Sequence, residues 1–212
     1  MSVVINFKSV IQGKNAEKLA RLMESIDNNR LIAVVSPIDI HAVSRYAPSL
    51  TIWSQHIDTD SPYKPMTGNL NISTAIERGA TGAIINHVEH PIGLNHIKSI
   101  VRYAPNNFDI CVCANTLEHA QEILKECTPD YIAIEPPNLI GKNTSMDNET
   151  LESVISAIGH KTNILCGAGI TSTMDVARAT HLGANGVLVS SYIVNSKCFE
   201  ASIRNLLVGL KQ

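Results

Sequence analysis

Aromatic residues are scarce in this chain: one Trp, five Tyr and three Phe among 212 residues, or 4%. The core cannot rest on stacked rings, so Ile, Val, Leu and Ala must fill it. Charge is thin as well, at 17% Asp, Glu, Lys and Arg with a formal net charge of −2. No long basic run occurs, which argues against nucleic acid as a partner. No apolar run approaches the ~20 residues that span a bilayer, so no membrane partner is expected. The chain opens without a charged stretch leading into a long apolar one. No signal peptide is read, and a cytoplasmic location is expected. Cysteines number five, an odd count. Three sit in or beside apolar runs and read as reduced, buried thiols. Cys111-Val112-Cys113 has the spacing of half a metal site, but no second Cys or His pair follows at finger spacing. No metal and no cofactor is expected.

What is present is an alternation. Apolar, β-prone runs occur at Val3–Phe7, Leu31–Val35, Leu50–Gln55, Gly82–Asn86, Phe108–Ala114, Tyr131–Ile134, Asn163–Cys166 and Gly186–Val189. Between them lie helix-compatible stretches. Thr116–Cys127 has a capping Thr and an apolar stripe of Leu117, Ala120, Ile123, Leu124 and Cys127. Thr150–Ile158 ends at Gly159, Thr173–Leu182 ends at Gly183, and Phe199–Leu210 closes the chain. Ser73–Arg78 is barely two turns. Strands alternating with helices imply a parallel α/β sheet with right-handed crossovers. Eight such units in so short a chain favour a closed (β/α)8 barrel with shortened helices. The competing open doubly-wound sheet is disfavoured, because the first turn carries Asn6-Phe7-Lys8 and no Gly-x-Gly-x-x-Gly. No linker divides the chain, so residues 1–212 read as one domain.

The C-terminal ends of the strands carry the chemistry, as barrel strand ends do. Glu135 follows the run Tyr131–Ile134 and precedes Pro136-Pro137. A carboxylate beside Ile134 and Leu139-Ile140 can be desolvated into a stronger base. His87 follows Gly82–Asn86. Glu89 stands in a segment that could begin a helix, whose N-terminus would keep the ring neutral. His56 is the competing histidine. Asn6 and Lys8 share strand parity and face inward together if Ile5 faces the helices. Gly167-Ala168-Gly169 and Ser190-Ser191 follow the seventh and eighth runs, where barrels seat phosphates. An ammonium, an imidazole, a carboxylate and an anion seat suit enolisation of a small phosphorylated carbonyl compound. Residues 138–145, with an apolar tip at Leu139-Ile140, read as a lid.

Several stretches, taken in order and spacing, resemble the triosephosphate isomerase family in its short archaeal form. They are Val4-Ile5-Asn6-Phe7-Lys8, Gln55-His56-Ile57-Asp58, Thr67-Gly68, Asn86-His87-x-Glu89, Ile134-Glu135-Pro136-Pro137-x-Leu139-Ile140-Gly141, Cys166-Gly167-Ala168-Gly169-Ile170 and Gly186-Val187-Leu188-Val189-x-Ser191. The resemblance implies a TIM barrel that interconverts dihydroxyacetone phosphate and D-glyceraldehyde 3-phosphate in glycolysis and gluconeogenesis. By that resemblance Glu135 moves the proton, neutral His87 polarises the carbonyl, and Lys8 balances negative charge. Asn6, Phe7, Lys8, Ile140, Gly141, Gly169, Ser190 and Ser191 would bind the substrate. It also implies a homotetramer or homodimer, in which the loop Thr59–Thr67, with Pro62, Tyr63, Pro65 and Met66, inserts beside the neighbour's site. Departures from the family pattern are Val88, His90-Pro91, Lys142-Asn143 and Tyr192. A non-catalytic phosphate-binding relative and another phosphate-binding barrel isomerase or epimerase are the alternative readings.

Overall fold

The computed structural model describes residues 1–59, 66–139 and 146–210. Eight parallel strands close into a barrel in chain order. They are β1 (Ser2–Asn6), β2 (Leu31–Val35), β3 (Thr51–Ser54), β4 (Gly82–Ile85), β5 (Asp109–Ala114), β6 (Tyr131–Ile134), β7 (Asn163–Cys166) and β8 (Gly186–Val189). The ring closes where β1 pairs with β2 through Val3 and Leu31 and with β8 through Ser2 and Gly186. The open doubly-wound alternative is thereby excluded.

Period-2 alternation sorts the strand residues into two apolar layers. Val4, Ile32, Val34, Trp53, Ile84, Cys111, Cys113, Ala133, Leu165 and Leu188 fill the barrel interior. Val3, Ile5, Phe7, Ala33, Val35, Ile85 and Val112 face outward into the layer shared with the helices. The thiols of Cys111 and Cys113 thus sit inside the barrel as small apolar fillers. The single Trp takes the largest share of that interior. Trp53 is 0% exposed and lies against Tyr131, ring centroids 5.3 Å apart. Gly82 on the next strand makes this possible, since a Cβ there would come within 2.5 Å of the Trp53 Nε1.

Helices α1 (Lys14–Asp27), α2 (Ile40–Tyr46), α3 (Ile72–Glu77), α4 (Leu94–Tyr103), α5 (Leu117–Glu126), α6 (Asn148–Ile158), α7 (Thr173–His181), α8 (Ser191–Val194) and α9 (Phe199–Gly209) cover the barrel. Thr116 caps α5 by accepting from the His119 N–H. Asp147 caps α6, which therefore starts two residues before the expected Thr150. Ser172 caps α7 by accepting from the Asp175 N–H. Among the described residues, no helix is long and apolar enough to cross a membrane.

Candidate active site

The strand ends at the C-terminal rim bring Asn6, Lys8, His87, Glu135, Gly169, Ser190 and Ser191 to one cavity of about 220 Å³. Inward parity carries Asn6 there directly, but β1 ends at Asn6 and parity does not govern Lys8. The chain instead turns through a left-handed backbone at Lys8, φ +48°. The Lys8 N–H donates to Asn6 Oδ1 at 2.9 Å, and Gln55 Nε2 donates to the Lys8 carbonyl at 2.9 Å. These two bonds hold a conformation that a side-chain-bearing residue avoids on its own. Lys8 Nζ reaches across 81 residues of sequence to Glu89 Oε1 at 2.6 Å.

His87 is 6% exposed. Its Nδ1 accepts from the Glu89 N–H at 3.1 Å, so a neutral ring carries its proton on Nε2. That nitrogen lies 3.5 Å from Glu135 Oε2. Burial pushes the imidazole below its ordinary pKa and the Lys8 ammonium pushes the same way, while Glu89 opposes both. Neutrality therefore comes from burial and a neighbouring cation. It does not come from a helix N-terminus, because residues 88–89 form a turn and α4 begins only at Leu94.

Glu135 is 6% exposed, and its Oε2 is buried without a hydrogen-bond partner. Its N–H donates to the Ala114 carbonyl at 2.9 Å and fixes it at the rim. Burial pushes the carboxyl up to about 7, against the downward pull of the Cys113 thiol and Lys8. Dryness thus drives both Glu135 and His87 toward their neutral forms. Gly167 packs on this side chain. A Cβ at residue 167 would lie 3.1 Å from the Glu135 Cδ and closer still to its Cγ.

Other expected residues fall elsewhere. The Phe7 side chain is fully buried in the outer apolar layer and does not line the cavity, because it alternates with Asn6. His56 is also outside it. Its Nε2 is 3.3 Å from Asp58 Oδ1, an oxygen that His96 Nε2 also approaches at 3.3 Å, and its ring packs edge-on against His90. Ile140 and Gly141 lie outside the described residues, as does all of the expected lid beyond Leu139 and most of the loop Thr59–Thr67. Sequence reasoning missed Glu89 as the partner of Lys8, Gln55 as its clamp, Gly167 against Glu135, and Val10, Val194 and Asn195 on the cavity wall. None of these contacts has a sequence signature, since each joins different loops. A desolvated base beside a neutral donor and a cation can move a proton at a carbon next to a carbonyl.

The family model described as triosephosphate isomerase matches residues 1–206. The triosephosphate isomerase of Methanobrevibacter smithii is 35% identical over 220 aligned residues, covering 98% of this chain and 98% of its own. That of Thermoplasma volcanium is 32% identical, covering 97% and 99%. That of Cenarchaeum symbiosum is 39% identical over 74% of this chain and 72% of its own. The crystal structure of triosephosphate isomerase from Bartonella henselae superposes with a TM-score of 0.77 over 97% of this chain and 98% of its own, at 17% identity, a likeness of fold.

Proposed function

The chain belongs to the triosephosphate isomerase family, and we propose that it interconverts dihydroxyacetone phosphate and D-glyceraldehyde 3-phosphate through an enediolate. The observation that carries this reading is the pair Glu135 and His87. They lie 3.5 Å apart and are shifted in opposite directions by one dry environment. The Glu135 carboxylate takes a proton from C1 of the ketone, and the C–H electrons form the C1–C2 double bond as charge moves onto the carbonyl oxygen. His87 donates its Nε2 proton in a hydrogen bond to that oxygen. A proton then passes from the C1 hydroxyl to the C2 oxygen by way of His87 Nε2, and Glu135 returns its proton to C2: the double-bond electrons form the new C2–H bond and a lone pair of the C1 oxygen forms the aldehyde carbonyl. The family is itself the standard case of a glutamate base working beside a neutral histidine. A base whose pKa is near neutrality is matched to this task.

Lys8 supplies positive charge to a substrate that carries a phosphate and gains an enediolate. The cavity rim at Gly169, Ser190 and Ser191 takes the phosphate. Asn6 acts by orienting Lys8, whose N–H it accepts. Ile140 and Gly141 belong to the same reading as the part of the lid that covers the phosphate. Phe7 contributes by anchoring the chain between Asn6 and Lys8 through its burial in the outer apolar layer. The reading also carries a cytoplasmic homo-oligomer, the loop Thr59–Thr67 contacting a neighbour. Met66, 55% exposed at the end of that loop, supports it. A non-catalytic binder would need no buried base.

A coupled assay on the purified chain, run from each triose phosphate, tests the function. Turnover in both directions is expected, and its absence overturns the proposal. Light scattering at micromolar concentration tests the assembly, and a monomer would refute it.

A further inference from the structure

Among the described non-glycine residues, Lys8 and Asn86 alone have a left-handed backbone. Lys8 belongs to the cavity. Asn86, φ +59°, immediately precedes His87 and is 6% exposed. Left-handed backbone by itself explains only why Asn is tolerated there, since Gly meets the same need with less strain.

The carboxamide is engaged at both ends. The β4–β5 ladder runs to Ile85 and Val112. The left-handed turn then takes the Asn86 backbone out of the sheet. Its side chain continues the pairing in place of the backbone: Nδ2 donates to the Cys113 carbonyl at 3.0 Å in a buried bond. At the other end Oδ1 accepts from the Ile92 N–H at 3.0 Å. The segment from His87 to Pro91 is therefore an arch whose two feet are joined by one side chain. Inside the arch the His90 N–H donates to the His87 carbonyl at 2.7 Å, and the Glu89 N–H donates to His87 Nδ1. The foot on Cys113 is next to Ala114, whose carbonyl accepts from the Glu135 N–H. The carboxamide thus ties the histidine arch to the same strand end that fixes the base.

We propose that Asn86 is a positioning residue for the reaction, its carboxamide clamping the arch so that His87 keeps its Nε2–H form and its distance from Glu135. The proposal rests on the isomerase reading for its kinetic part. Its structural part can be read without turnover.

Two variants of the full chain separate the clamp from the backbone need. Asn86→Gly satisfies the left-handed conformation and removes both side-chain bonds. Asn86→Asp is nearly isosteric, keeps the acceptor for Ile92 and loses the donor to Cys113. Asn86→Gly is expected to lower kcat by about 10- to 100-fold, the size of effect that small misplacements of a reacting group produce, with KM changed by only about threefold or less. Asn86→Asp should lose less. Imidazole 1H–15N correlation spectra, with His87 assigned by its loss in His87→Gln, should show an Nε2–H ring in the parent and tautomer averaging in Asn86→Gly. An Asn86→Gly enzyme with parental kcat and a parental His87 spectrum overturns the proposal. So does one that melts lower yet turns over normally while folded, since its role would then be structural only. Should Asn86→Gly fail to fold, a parental kcat and spectrum in Asn86→Asp overturn the donor half of the clamp. Loss of activity in the parent itself would instead condemn the isomerase reading, and the tautomer spectra would still decide the clamp.

Discussion

Glu89 holds His87 through its backbone and opposes it through its side chain. Its N–H donates to His87 Nδ1 at 3.1 Å, while its carboxylate lies 3.6 Å from the same nitrogen and 2.6 Å from Lys8 Nζ. The first contact selects the Nε2–H tautomer. The second raises the pKa of His87 and of Glu135.

Glu89→Gln should therefore keep the tautomer and lower both pKa values. The acid limb of kcat/KM, which reports groups of the free enzyme, should move to lower pH by a fraction of a unit. The shift is small because the Glu89 side chain is 56% exposed and solvent screens it. A pH–rate profile checks this, and an acid limb that stays put or moves upward contradicts the assignment.

If Glu135 is the proposed base, Glu135→Gln should cost roughly 10²- to 10⁴-fold in turnover, the range for losing a general base. It should also stabilise the fold. In the native state burial pushes the carboxyl up to about 7 from its ordinary 4.5. Between those values the folded state binds more protons than the unfolded one, so stability falls as pH rises through that window. Above it the ionised parent carries the whole penalty, on the order of 3 kcal/mol. Thermal melts should show the variant more stable than the parent at pH 8, with the difference vanishing near pH 4. A parent equally stable relative to the variant at both pH values would mean that Glu135 is not desolvated.

Much of this was legible in the sequence for a physical reason. Strands buried on both faces read as unbroken apolar runs, and β6, β7 and β8 fall where those runs do. The run Leu50–Gln55 gives the shorter β3, Thr51–Ser54, although the Gln55 N–H still donates to the Val35 carbonyl at 2.9 Å while its side chain reaches Lys8. The polar strand ends pointed to Asn6, His87 and Glu135, since polar residues there must face a cavity. Periodicity could not say which histidine. His56 and His87 both follow strands, and only their tertiary surroundings, Asp58 for one and Glu135 for the other, tell them apart. The neutrality of His87 was expected from a helix start and arises from burial, because no local pattern encodes the depth of a side chain.

That distinction is testable. On the proposed mechanism His87→Ala should lower kcat strongly with a small effect on KM, since its Nε2 proton would meet charge that develops only in the transition state. His56→Ala, outside the cavity, should be mild. Reversed effects in steady-state kinetics would show that His56, not His87, polarises the carbonyl.

Gly167→Ala probes how much of the base's placement depends on an absent side chain. The added Cβ would overlap the Glu135 Cγ, lie 3.1 Å from its Cδ and 3.0 Å from the Ile134 carbonyl oxygen. The backbone on one side cannot yield, because the Gly167 N–H is bonded to that same Ile134 carbonyl at 3.0 Å. The flexible partner is Glu135, which must swing away from Gly167. On the proposed mechanism its carboxylate would then miss C1 while His87 holds the carbonyl oxygen, and a displacement of that order costs about 10²-fold in rate. Because the methyl group adds no charge, the acid limb of the pH profile should persist in the residual activity if Glu135 remains the base. kcat at parental level, with the variant melting normally, would show that Glu135 is free to choose its position and that Gly167 does not set it.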